Sequence, residues 1–446
     1  MNKFPQQFLD RAKELTGSEY DKFINSLSEP SPVSIRMNPC KAIEEFSKEE
    51  KVPWSKDGKY LFERPSFTFD PLFHAGCYYV QDASSQFLEQ PFLQIKKIVK
   101  SPCKILDLCA APGGKSTHLL SLMNSDDLLV SNEIVPARNT ILRQNIIKWG
   151  CANVLVTQNE PSVFGRLKGF FDVVVVDAPC SGEGLFRKDA NAIDEWSPEN
   201  VNRCSIRQKE ILSDAYETLA PGGFLIYSTC TFEEEENDSQ INFLIQKYGM
   251  KKINIENIYE GVKANLNGLS FFPHRIRGEG FYISLLQKES GEKYRMKNEK
   301  MPGIKNNFRT IFDEYLEKSN DFYPVFKEGR LYAIAAGQMQ WFKILSDNLY
   351  LRHAGINVGE IKGEDFIPSE SVALSITMKN DFSYIEFNEG QAIEYLKGGT
   401  PEITGASKGW VLTRFQSHTL GWIKNLGNRI NNYYPKPWRI RSDKAK

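Results

Sequence analysis

Between residues 103 and 230, four short apolar runs alternate with segments of helical character, and each run closes in a polar or glycine-rich turn. The runs are CKILDLCAAPGGK (103–115), DLLVSNE (127–133), FDVVVVDAPCSG (171–182) and GGFLIYSTC (222–230). The intervening helical segments are STHLLSLM (116–123), PARNTILRQNIIKWG (136–150) and a stretch from Asn202. In that last stretch Ile206, Ile211, Leu212, Ala215 and Leu219 recur at helical spacing, and Pro221-Gly222-Gly223 is read as its stop. Runs that are apolar throughout have to be buried on both faces, which requires a parallel, doubly wound sheet with helices above and below. The expected fold class is therefore α/β, with a Rossmann-like sheet at its centre. Such sheets bind ligands at the carboxyl ends of their strands, where every motif discussed below falls.

The 446 residues are about three domain lengths. Residues 1–90 combine an amphipathic helical pattern (FLDRAKELTGSEYDKFINSL) with a strand candidate (SPVSIRMNPCKAI) and read as an α+β appendage. The central domain is placed at 91–290 and a polar linker at 291–306. A mixed α+β region follows at 307–395, then a final module at 396–446. The runs RLYAIAA, VALSITM and GWVLTRF in the last 140 residues read as strands. No stretch of 18 apolar residues occurs, so a chain that stays in the cytoplasm, off the membrane, is expected.

Formal net charge is zero, from 56 basic and 56 acidic residues, but the charge is unevenly spread. Nine basic residues face four acidic ones between Ser270 and Thr310, and seven face one (Asp443) between Gly421 and Lys446. Such segments suit phosphate contacts, while acidic runs such as Glu233–Glu236 balance the total. All eight cysteines lie within the first 230 residues and none forms a CxxC pair, so neither a zinc site nor a disulfide framework is expected.

The turn Cys109-Ala110-Ala111-Pro112-Gly113-Gly114-Lys115 has the last part of a phosphate-binding loop, with Cys109 where the first glycine should be. A nucleoside cofactor without phosphate fits better. It requires an acid about twenty residues on for ribose hydroxyls, and Glu133 stands there. S-adenosylmethionine meets that description, with the Gly113 and Gly114 amides and the Lys115 ammonium suited to its carboxylate. Asp177-Ala178-Pro179-Cys180 and Ser228-Thr229-Cys230 close two further strands and bring two thiols to one cleft. Cytosine C5 is a poor nucleophile until something adds to C6, and a thiolate suits that addition, being soft and a good leaving group afterwards. Asp177 is placed to meet the base or the cofactor's amine.

DLCAAPGGK, DAPCSGEG and STCTFEEEEN together resemble the cofactor, proline-cysteine and threonine-cysteine motifs of the Nol1/Nop2/Sun family of RNA cytosine-5 methyltransferases. SIRMNP, GCYYVQDASS (76–85) and FFPHRIRGEGFY (271–282) extend the likeness, and residues 409–441 are similar to a PUA-like module of one bacterial branch. The resemblance implies a class I methyltransferase sheet, S-adenosylmethionine as cofactor and RNA as partner, most simply 16S ribosomal RNA or the small subunit, acted on by a monomer. It implies Cys230 as nucleophile and Cys180 as the thiol that assists release, with Asp177 completing the cofactor and base site. Cys109 to Lys115 and Glu133 would hold the cofactor. VTQNEP loosely matches a further cofactor contact, which either Asn159 or Glu160 fills. Arg275, Arg277, Phe281, Tyr433, Tyr434 and Trp438 are candidates for RNA contact, with core packing as their other reading. The alternatives are a transfer-RNA or multisite enzyme, a DNA cytosine methyltransferase, which would use Cys180 as nucleophile, and a non-catalytic ribosome assembly factor.

Overall fold

The four apolar runs form strands whose successive side chains enter two different cores. In the computed structural model, which describes residues 4–296 and 306–442, these strands are β1 (Lys104–Asp107), β2 (Leu128–Asn132), β4 (Phe171–Asp177) and β5 (Leu219–Thr229). A further strand, β3 (Val154–Thr157), and an antiparallel β6 (Phe281–Gln287) give the order β6-β5-β4-β1-β2-β3, in which β1 to β5 are mutually parallel. Val173 and Val175 pack with Ile105, Leu129 and Val156 on one face, against helices α1 (Gly114–Leu122) and α2 (Pro136–Trp149). Val174 and Val176 pack with Leu106, Val130 and Leu155 on the other, against α3 (Pro198–Thr218) and α4 (Asp238–Tyr248). Both faces are covered, which is why alternation is absent from the sequence of each strand.

Several local expectations are corrected. Ile206 is exposed and takes no part in the packing face of α3. Pro221-Gly222-Gly223 lies inside β5, at a shift of register against β4, because the helix already ends at Thr218. VALSITM is not a strand: Ser369 caps a short helix, Glu370–Ala373, and the chain then turns. Strand Leu351–Ala354, from the region placed outside the central domain, pairs antiparallel with β3 and extends the central sheet at that edge. The final module does not begin at 396. Strand Tyr384–Glu386 runs parallel to Gly409–Phe415, and helix Glu389–Lys397 lies between them, so its unit includes both. A parallel pair has no tight turn to mark it, and the helix is started by an Asn388–Gln391 capping box. Residues 297–305 of the expected linker, and the tail residues Asp443, Lys444 and Lys446, lie outside the described residues. Among the described residues no helix is long and apolar enough to cross a membrane.

The N-terminal region supports the central sheet from two sides. Helices Gln6–Thr16 and Tyr20–Ser26 bury Phe8 and Phe23 against Phe186, Trp196, Phe232 and Phe272. A three-stranded sheet (Val33–Met37 between Gly58–Leu61 and Tyr78–Val80) presents the fully buried Arg36 to helix α1. Its guanidinium donates to Gln81 Oε1 at 2.8 Å, Thr117 Oγ1 at 2.6 Å and Ser121 Oγ at 3.1 Å, and lies 4.5 Å from the Trp149 ring centroid. Burial without an ion-paired carboxylate among the described residues lowers its pKa to about 9. Arg36→Met is expected to lower unfolding stability by about 2–4 kcal/mol, because it strands these acceptors inside the protein. A urea midpoint unchanged from wild type would show that Arg36 is not part of the helix α1 support.

Candidate active site

The strand ends of β1, β2 and β3 are tied together by one amide. Asn132 donates from Nδ2 to the carbonyls of Leu108 (3.2 Å) and Asn159 (2.9 Å), and its Oδ1 accepts from Asn159 N–H and Thr157 Oγ1. Above it opens a cavity of about 540 Å³. Cys109, Ala111, Glu133, Glu160, Asp177, Cys180 and Cys230 all line this cavity. Ala110, Pro112, Gly113, Gly114 and Lys115 do not line it. Gly113 caps helix α1 with φ of 111°, where a side chain would be strained and its Cβ would stand 3.2 Å from Leu142 Cδ1.

Lys115 departs from expectation. Largely buried beside the Phe281 ring, its ammonium pairs with Asp177 Oδ2 at 2.7 Å instead of facing the cavity as a free cation. Asp177 also accepts from Ser228 Oγ at 2.8 Å, which links the ends of β4 and β5. Glu133 is buried and accepts from the Val135 N–H at 2.8 Å, with Arg138 at 3.5 Å from its other oxygen. The choice between Asn159 and Glu160 is a geometric one. The Asn159 side chain is engaged with the Tyr350 backbone in both directions, at 3.0 and 3.3 Å, whereas Glu160 lines the cavity.

Cys180 Sγ and Cys230 Sγ stand 3.1 Å apart. The contact with Cys230 and burial push the Cys180 pKa well above the ordinary thiol range. Cys180 is therefore held as a thiol, its sulfur in hydrogen-bond contact with that of Cys230.

Behind the thiols the structure places residues that the sequence reading assigned to surface charge balance. Glu236 is fully buried and Glu233 nearly so. Glu236 accepts from the Ser181 N–H at 3.1 Å and from Gln208 Nε2 at 2.7 Å. Burial raises its pKa to about 7 despite those bonds. Asp107, at the end of β1, is likewise raised to about 7 by burial, with Oδ2 accepting from Ser116 Oγ at 2.6 Å. A run of four glutamates carries no periodicity that separates its buried members from its exposed ones. Among the described residues no group of three or more His, Cys, Asp or Glu side chains could hold a metal ion.

Three family models match the chain in succession. The N-terminal domain of 16S rRNA methyltransferase RsmF covers residues 4–83, 16S rRNA methyltransferase RsmB/F covers 99–287, and the methyltransferase RsmF PUA domain covers 382–440. The chain belongs to the RsmB/F methyltransferase family. Relatives named ribosomal RNA small subunit methyltransferase F, from Shigella boydii and Cronobacter sakazakii, are 27% and 28% identical over 97% of this chain. The matches take in 96% and 95% of those relatives. A solved methyltransferase homologue from Pyrococcus horikoshii is 27% identical with a TM-score of 0.55, over 64% of this chain and 95% of its own. NSun6 from the same organism, solved with SFG, shares the fold at 22% identity and a TM-score of 0.56, covering 65% of this chain and 99% of its own.

In this RsmB/F-family chain the basic and aromatic residues singled out for RNA contact are engaged internally. Arg275 pairs with Glu19, and Arg277 pairs with Glu50 at 2.6 Å while lying over the Tyr60 ring. Phe281 is a core residue of β6. Tyr434 is buried, with its hydroxyl 3.2 Å from His74 Nδ1, and Tyr433 packs edge-on against Trp410 at 4.5 Å. Trp438 packs on Tyr434.

The Glu236 shift has a measurable consequence. Its folded pKa lies above the unfolded value, so the folded state holds the extra proton between about pH 4.5 and 7, and Glu236 lowers stability as pH rises through that window. Glu236→Gln is expected to gain on wild type by up to about 3 kcal/mol between pH 4.5 and pH 8, read from urea unfolding at both pH values. A constant difference at the two pH values would show that Glu236 titrates normally.

Proposed function

We propose that the protein transfers a methyl group from S-adenosylmethionine to C5 of a cytosine in RNA, with 16S ribosomal RNA as substrate and a bond between Cys230 and C6 as the intermediate. The observation that carries this reading is the thiol pair: two sulfurs 3.1 Å apart at the edge of a nucleoside-sized cavity. The likeness to ribosomal RNA small subunit methyltransferase F and to the 16S rRNA methyltransferase RsmB/F family supports the ribosomal substrate.

The cavity residues fit the cofactor. Glu133 spends one oxygen on the Val135 N–H, and the other, 3.5 Å from the Arg138 guanidinium, is the acceptor offered to ribose hydroxyls. Leu108, Ile134, Val135 and Pro161 supply apolar lining for a purine, and Asp177, Glu210 and Asp214 supply negative charge suited to a cationic ligand. When bound, S-adenosylmethionine supplies the electrophilic methyl group.

Cys230 sulfur adds to C6, and the electrons of the C5–C6 double bond become available at C5. After methylation C5 loses its proton to a base, the double bond re-forms, and the Cys230–C6 bond breaks with its electrons returning to sulfur. The Cys180 S–H stands at that sulfur and can hand it a proton as it leaves. Asp177, fixed between Lys115 and Ser228, presents a carboxylate at the same edge for the polar face of the base. A stacked base cannot reach this edge, so the target cytosine is unpaired or flipped out.

Glu133→Ala is expected to raise the cofactor dissociation constant about ten- to a hundredfold, measured by calorimetry, since it leaves two hydroxyls unpaired. An unchanged constant would remove Glu133 from the site. The thiols are separated by trapping. Cys230→Ala should abolish methylation of 16S RNA, while Cys180→Ala should accumulate a covalent protein–RNA band on denaturing gels that requires S-adenosylmethionine. The double variant should show no band. Adducts from Cys230→Ala alone would reverse the two roles, as in the DNA enzymes.

A further inference from the structure

Cys180 and Cys230 lie on different loops, fifty residues apart in sequence, yet their sulfurs are within 3.1 Å. Some contact must hold the loops at that spacing. The residue after each cysteine carries a hydroxyl, Ser181 and Thr231, and both hydroxyls meet the carboxylate of Glu183. Ser181 Oγ lies 3.0 and 3.1 Å from its two oxygens, and Thr231 Oγ1 donates to Oε2. Trp196 Nε1 donates to Oε1 at 2.5 Å, and the two hydroxyl oxygens are themselves 3.2 Å apart. The backbone repeats the link one residue later. Gly184 N–H donates to the Cys230 carbonyl at 2.9 Å, and a Cβ at Gly184 would come within 2.6 Å of that oxygen.

Glu183 is fully buried and does not line the cavity, so it touches neither base nor cofactor. A carboxylate in this position has a desolvation cost that an apolar residue would avoid, and burial beside Glu236 raises its pKa accordingly. Thr231 Oγ1 and Trp196 Nε1 donate to it, and Ser181 Oγ lies against both of its oxygens while also reaching the neighbouring Glu236 carboxyl. We propose that Glu183 is the positioning residue of the thiol pair, its carboxylate tying Ser181 to Thr231 and thereby fixing Cys180 against Cys230.

The chemical consequence rests on the function proposed above. Addition and methyl transfer need only Cys230, whereas release needs the Cys180 S–H beside the breaking bond. A loosened clamp therefore slows release more than transfer. A side chain that merely satisfied buried donors would lower stability without changing the relation between the two sulfurs.

The test begins without RNA or cofactor, so that it stands apart from the methylation reading. In the full-length protein, diamide takes two electrons and two protons from the two thiols to form a Cys180–Cys230 disulfide, mapped by mass spectrometry. Wild type is expected to cross-link readily and Glu183→Ala about tenfold or more slowly, as loss of close positioning implies. Glu183→Gln keeps one acceptor and gains a donor that rotated hydroxyls can meet, and is expected to stay within about threefold of wild type. With RNA and S-adenosylmethionine present, Glu183→Ala should accumulate part of the covalent adduct seen with Cys180→Ala, with cofactor affinity and KM for RNA unchanged. If Glu183→Ala does not fold, Ser181→Ala and Thr231→Val each cut one tie and are read the same way. Cross-linking of a folded Ala variant at the wild-type rate would overturn the proposal, as would a wild-type pair that resists diamide. Cross-linking that depends on Glu183 in a protein that methylates no RNA would uphold the clamp and defeat the methylation reading alone.

Discussion

A parallel sheet covered on both faces leaves its polar residues only one place to gather, the ends of its strands. Here that constraint puts Asp107, Asn132, Thr157, Asp177 and Thr229 at the carboxyl ends of β1 to β5, with the polar turns directly after them. The backbone groups at those ends have no further strand partner and must be met by side chains. Asn132, on β2, meets them beyond β1 and β3, and the Asp177 and Ser228 side chains bond to each other across the ends of β4 and β5. The same contacts that finish the sheet therefore build the floor of the cavity.

Low solvent access then decides what the site residues can be. Lys115 and Asp177 satisfy each other, so neither stands as an isolated buried charge. Cys180 is buried beside a second sulfur, and both push its pKa up. Glu236 and Asp107, each hydrogen-bonded but not ion-paired, are held near pH 7 by burial. One cleft thus contains a thiol, an ion pair and protonatable carboxyls, distinguished by what each group touches rather than by its residue type.

The central strands, their helices and the residues of the three motifs were legible because each depends on local sequence: unbroken apolar runs, a glycine that must adopt positive φ, a cysteine directly after a strand. What escaped depends on partners far away in the chain. Strand Leu351–Ala354 joins β3 across some two hundred residues, and nothing in its own composition names that partner. Arg36 is buried only through helix α1 and Trp149, which lie some eighty and more residues further along the chain. The acidic run Glu233–Glu236 reads as solvated, yet its last member is the most buried because Ser181, Gln208 and the Tyr227 hydroxyl converge on it. The PUA-unit boundary was missed for the related reason that a parallel pair is joined through a helix rather than a turn.

The same long-range packing bears on how the flanking regions serve the site. Phe23 lies edge-on to Phe232, two residues beyond Cys230, at 5.0 Å, and Phe8 contacts Phe186 and Trp196 on the loop that follows Cys180. Arg11 reaches from the first helix to Glu233 at 2.5 Å and to Glu235 at 3.1 Å. The N-terminal helices thus brace the two cysteine loops from outside, while Glu183 joins them from within. At the other end, Tyr395, Ile423 and Tyr434 of the PUA unit share one core with Ile35, Leu72 and Tyr78 of the N-terminal region. Neither flank is a tethered module that could be cut away without exposing apolar surface. Of the aromatic residues that look available in sequence, Tyr434 and Trp438 are spent on this joint, whereas Phe281 packs in the core of the central sheet and Tyr433 against Trp410.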